Sequence, residues 1–195
     1  KGIVELKDPY ILLFDKKINT IGDILHTLEL VSQHSSSLLI VAEDIDPQVI
    51  ATLATNKLRG GLKIAAIKSP GFGDRQKATL GDLAILTGGQ VFEDTINKSE
   101  NISFETMGRA DSIVIDKENT TIINGKGNPL KIQQRVNLLK DTIKELTSDY
   151  DIGKVEERIA KLVSGVAVLY VGAASEVEMK EKRDRIDDAL HATRA

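Results

Sequence analysis

The apolar run Leu38-Leu-Ile-Val-Ala42, which passes directly into Glu43 and Asp44, sets the tightest limit on what this chain can become. A strand that faces water on one side alternates apolar with polar residues. One that is apolar at every position is covered on both faces. Helical patterns stand on either side of the run to provide that cover. In residues 20–35, Ile21, Ile24, Leu25, Leu28 and Val31 share one helical face, and Thr20 and Asp23 open it with capping-box spacing. Asp46 then caps a second helix, with Pro47 at the first helical position, where its missing N–H costs nothing, and Gly60-Gly61 as the stop.

The alternation continues. Residues 62–68 read as a strand, 69–74 as a loop, and 75–86 as a helix halted by Gly88-Gly89, with a short strand at 90–92. Ser103 caps a short helix over 104–108. Residues 111–116 and 119–124 pattern as a hairpin. A long amphipathic helix is expected over 129–146 and another over 151–163 with Asp151 as its cap. Gly165 breaks the pattern before a strand at 166–171, and Ser175 with Glu178 opens a charged helix over 175–195. Strands and helices so mixed predict an α/β or α+β fold.

Composition excludes several classes of function. The 195 residues hold 26 basic and 29 acidic side chains, a net charge of −3, so the basic footprint of a nucleic-acid binder is missing. There is no cysteine, which removes disulfides and thiolate metal sites. With 41% hydrophobic residues but only 4% aromatic, the core must be aliphatic. The apolar runs are too short to span a bilayer. The chain opens at Lys1 with neither a start Met nor a signal-like pattern, and reads as an excised fragment.

Catalytic constellations are sparse. His26, His34 and His191 lack metal-ligand spacing, which points to surface histidines. Gly71 and Gly73 open a helix, as a phosphate-binding loop does. They lack the third glycine of a dinucleotide fingerprint and the Lys-Ser/Thr of a P-loop, so a packing turn is the better reading. Ser164-Gly165 has no nucleophile-elbow frame. The helix after Asp46 says more. Val49, Ile50, Ala51, Leu53, Ala54 and Leu58 spread over roughly 200° of its circumference, against the ~100° that packing on a core requires. Either the surplus faces a partner, or this helix is sandwiched inside the domain. In the last helix Glu176, Glu178 and Glu181 pair at i, i+4 with Lys180, Lys182 and Arg185, beside a narrow seam of Met179, Ile186 and Leu190.

Taken together, Lys68-Ser-Pro-Gly-Phe-Gly-Asp-Arg75, Leu86-Thr-Gly-Gly89, Thr120-Thr-Ile-Ile-Asn-Gly125, Ser148-Asp-Tyr-Asp151, Val171-Gly-Ala-Ala-Ser-Glu-Val-Glu-Met-Lys180 and Asp187-Asp-Ala-Leu-His-Ala-Thr-Arg-Ala195 resemble group I (bacterial-type) chaperonins in order and spacing. The resemblance implies a layered β/β/α apical domain over residues 1–165 and the descending helical part of an intermediate domain over 166–195. Gly165 would be the hinge, with Ser164 replacing a neighbouring family glycine. It implies a chaperone that holds non-native polypeptides and the co-chaperonin's mobile loop in an apolar groove between the first two helices. Leu25, Leu28 and Ile50 would line that groove, with Asn56 beside them. Ala54 and Thr55 match groove positions where the family carries larger apolar residues, which implies weaker or differently selective binding.

In the complete subunit, Asp188 matches the carboxylate that supports attack of water on ATP's terminal phosphate. ATP and magnesium would bind a domain not encoded here, so no nucleotide chemistry is expected of this chain alone. Glu176 matches an intersubunit contact of a double seven-membered ring, whereas the fragment itself is expected to be monomeric. The implied location is the bacterial cytoplasm, with an organelle matrix as the alternative. A phosphate-binding enzyme domain built on Gly71 and Gly73, or a purely structural spacer, are the competing readings.

Overall fold

Residues 2–60, 63–93, 102–170, 177–179 and 189–190 are described by a computed structural model, with the backbone alone for 56–60 and for the last two stretches. The chain opens with two strands, β1 (Val4–Lys7) and β2 (Tyr10–Ile18), ahead of the first expected helix. Then follow α1 (Leu25–Gln33), β3 (Leu38–Ile45), α2 (Pro47–Gly60), β4 (Ile64–Lys68), α3 (Gly73–Thr87) and β5 (Val91–Phe92). The second half comprises β6 (Gly108–Ile115), β7 (Asn119–Gly125), α4 (Pro129–Ile143), α5 (Asp149–Ser164) and β8 (Val166–Tyr170). The result is a mixed α/β fold, with five helices on an eight-stranded mixed sheet among the described residues.

The sheet changes character along its width. Strands β4, β3, β2 and β5 lie in that order and run parallel. Strand β6 joins them to an antiparallel half. Its start, Gly108 and Arg109, pairs with Ile11 and Tyr10 of β2, while its later residues pair with β1 and β7. In the parallel half, alternate residues serve two cores. Ile11, Leu13, Leu39 and Val41 point toward α3, α4 and α5, whereas Leu12, Phe14, Leu38, Ile40 and Ala42 point toward α1 and α2. The unbroken apolar run of β3 is thereby buried on both faces, as its composition requires.

Several boundaries differ from expectation. The 20–35 helix is a single 3₁₀ turn, Ile21–Asp23, followed by α1, because Ile24 departs from helical geometry (φ −125°) while fully buried. The short helix at 104–108 is one turn, held by Thr106 Oγ1 donating to the Ser103 carbonyl at 2.9 Å. Helix α5 begins before Asp151, since Ser148 Oγ accepts from the Asp151 N–H and is the actual cap. Within the helix expected over 175–195, Val177–Met179 and Ala189–Leu190 instead form an antiparallel pair, β9 and β10. Helices draw most of their stability from packing an apolar face, and the narrow seam predicted there offers little. The remainder of 171–195 lies outside the described residues.

Candidate functional site

Both helices singled out by sequence lie over the same face of the parallel strands. Side-chain caps mark the 3₁₀ turn that leads into α1 and the start of α2, whereas α1 itself begins at Ile24 without a side-chain cap. Asp23 Oδ2 accepts from the N–H groups of Asn19 and Thr20, and Asp46 Oδ1 accepts from the Gln48 N–H at 2.8 Å. The N-cap residue Ile24 and, within α1, Thr27, Leu28 and Val31 are buried against the sheet, and α2 seats Val49 and Leu53.

What the two helices leave uncovered is the candidate site. Leu25 is 47% exposed. Ile50 is half-buried, and Ala51, Ala54 and Thr55 are exposed. Leu28 stands apart from these at 6% exposure; it belongs to the core and offers almost no area to a ligand. Asn56 is described by backbone alone, inside α2. Asp188 and Glu176 lie outside the described residues. The choice left open for α2 is thereby settled within its described side chains: its buried stripe is narrow, and Ala51 and Ala54 look outward rather than into a sandwich.

The outer face of α2 is more apolar than its sequence suggests. Thr52 donates its hydroxyl to the Gln48 carbonyl at 2.9 Å, and Thr55 donates to the Ala51 carbonyl at 3.1 Å. Such back-bonding engages the hydroxyl within the helix and leaves the methyl as the free group. Ala51, Ala54 and half-buried Ile50 add further apolar groups to the exposed side of α2, which carries no charged side chain among the described residues 49–55.

The structure places Gly165, the expected hinge, at the junction of α5 and β8. It ends α5 in the left-handed conformation (φ 77°), its N–H bonded to the Lys161 carbonyl at 3.0 Å. Strand β8 then pairs along β7 from Val166 to Tyr170, and buries Ala167 and Leu169 in the core. Packing therefore continues past the expected break, and a swing at Gly165 would carry β8 away from β7. The phosphate-loop reading finds little support. Gly71 (φ 85°) and Gly73 (φ 53°) take left-handed turns around a Phe72 that is 83% exposed, and the carbonyl of Phe72 already accepts from Arg75 and Gln76.

Sequence reasoning missed one charged cluster entirely. Asp82 of α3 accepts from Arg135 Nη1 of α4 at 2.8 Å, and from Arg158 Nε and Nη2 of α5 at 2.6 and 3.0 Å. No local spacing could announce it, because its members lie 53 and 76 residues apart. Among the described residues no group of three or more His, Cys, Asp or Glu is placed to hold a metal ion, and no helix is long and apolar enough to cross a membrane. Against known families, the sequence matches the model of the TCP-1/cpn60 chaperonins over residues 7–195.

Proposed function

This chain belongs to the TCP-1/cpn60 chaperonin family, and from that premise we propose that it is the polypeptide-holding part of a group I chaperonin. Family membership brings a role in protein folding, and full-length members are ATPases. The uncovered strip of α1 and α2 is the holding surface. Non-native chains expose apolar side chains, and burying them is worth about 25 cal/mol per Å² without demanding precise hydrogen bonds. Such a surface takes many clients. An extended or helical segment would lie along Leu25, Ile50, Ala54 and Thr55, and the co-chaperonin's mobile loop would compete for the same place. In the complete ring, Asp188 would serve ATP hydrolysis and Glu176 a neighbouring subunit.

The observation that carries this reading is Leu25, a large apolar side chain left 47% exposed on α1, while Ile50 on α2 is only half-buried. If a bound client covers that remaining half, Leu25 contributes about 1 kcal/mol of the ~2 kcal/mol that full burial of a leucine supplies. Leu25→Ser should therefore weaken binding of a permanently unfolded protein about fivefold, and adding Ile50→Ser should weaken it further. The assay is a fluorescence-anisotropy titration, with thermal melts confirming that both variants fold. Unchanged affinity in the double variant would refute the surface. Tight ATP binding by this chain in calorimetry would favour the phosphate-loop reading instead.

A further inference from the structure

On the face of the sheet opposite α1 and α2, a cleft of about 30 Å³ opens between α3, α5 and β8. Its floor includes Leu83, Leu162 and Leu169, all buried, and its rim carries Asp82, Arg158 and Lys161. The charges on that rim do not balance. Asp82 is the only acid lining the cleft, and it already holds both Arg135 and Arg158. Lys161 is half-buried and makes no ion pair among the described residues. Three cations thus face one carboxylate, and Nη1 of Arg158 is not among the atoms bound to Asp82.

An apolar floor beneath a rim of net positive charge is complementary to an amphiphilic anion. We propose that this cleft binds a short branched aliphatic carboxylate, its methyl groups on the leucine floor and its carboxylate between Lys161 and Arg158. The size fits a small tail, since 30 Å³ is room for about two water molecules. A free short acid and the C-terminal carboxylate of an aliphatic peptide share this chemistry.

The test is an NMR titration of the 195-residue chain with isovalerate, following backbone amide shifts. Saturable shifts confined to residues 79–83, 161–162 and 167–169 are expected, with none from the isosteric neutral isovaleramide. Lys161→Met keeps the aliphatic stem and should weaken isovalerate about tenfold, the value of one charge-assisted hydrogen bond. N-acetylleucine separates the sources: tighter binding than isovalerate assigns the site to a peptide terminus, weaker binding to a free acid. Equal binding of isovaleramide, unchanged affinity in Lys161→Met, or the absence of saturable shifts at these residues would overturn the proposal.

Discussion

Replacing Asp82 with Asn should cost this fold about 3 kcal/mol. The Asp82 side chain is 13% exposed and accepts three hydrogen bonds from two guanidinium groups. Removing one partner of a fully buried ion pair costs roughly 3–5 kcal/mol, because the stranded charge has lost both solvent and counter-ion. Here Arg135 and Arg158 keep 26% and 30% exposure, so water recovers part of that, and the lower end of the range applies. For a chain of this size each kcal/mol moves Tm by about 2–4 °C, giving a fall of about 6–12 °C. Urea denaturation is the right assay, since guanidinium salts would screen the interaction under study. A cycle of Asp82→Asn with Arg158→Met should show a coupling above about 1 kcal/mol. Exchanging all three residues for apolar ones of similar volume should recover most of the loss, because a buried ion cluster is often no better than well-packed hydrocarbon. A loss below about 1 kcal/mol for Asp82→Asn, or coupling near zero, would refute this account of how α3 is tied to α4 and α5.

Asp15 should show a dependence on pH of the opposite kind to most carboxylates. Burial, then the nearby Glu93 charge, raise its carboxyl above the ordinary range, and its Oδ1 is enclosed without a hydrogen-bond partner. The folded state therefore binds more protons than the unfolded one between about pH 4 and the raised value, and stability falls as pH rises through that window. Asp15→Asn should raise Tm at pH 7, with a gain that fades toward pH 4; a gain independent of pH would contradict the argument. Two glycines should respond with opposite signs in thermal melts. A Cβ at Gly127 would press on the Ile85 and Leu86 carbonyl oxygens, which are backbone and cannot yield, so Gly127→Ala should cost about 1–3 kcal/mol. Gly153 lies within α5 with open space around it, so Gly153→Ala should stabilise by about 0.4–1 kcal/mol.

The parallel half of the sheet was legible because its signals are local. The run at 38–42, the caps at Thr20 and Asp46, and the glycine stops each state a rule within a few residues. The same signal stands at Tyr10-Ile-Leu-Leu-Phe14, a second continuous apolar run and in fact the central strand β2, so that strand was readable by the logic applied to β3. The Asp82 cluster and the switch of β6 between partners were not readable, because both depend on residues that only the fold brings together. At Val177–Met179 and Ala189–Leu190 the expected helix gives way to a strand pair for another reason: favourable charge spacing supplies only tenths of a kcal/mol per pair and does not decide whether a helix forms.

The candidate surface shows where pattern reading stops. Helical spacing puts Leu25 and Leu28 on one apolar face, yet the contact with the sheet is centred on Ile24, Thr27, Leu28 and Val31. Leu25 lies on the flank of that stripe, and spacing alone cannot separate flank from centre. The consequence inverts the usual economy of a helix, because Thr27 is fully buried with an unpartnered hydroxyl while Leu25 faces water. Local rules are broken most often where function requires it, and the two positions can be separated experimentally. Thr27→Val removes a buried unsatisfied hydroxyl and should stabilise the fold by about 1 kcal/mol while leaving affinity for unfolded protein unchanged. Leu25→Ser should do the reverse, leaving Tm nearly unchanged and weakening the complex. If Leu25→Ser instead lowers Tm by several degrees with affinity intact, the exposed leucine is a structural prop, and the holding surface must be sought elsewhere on the molecule.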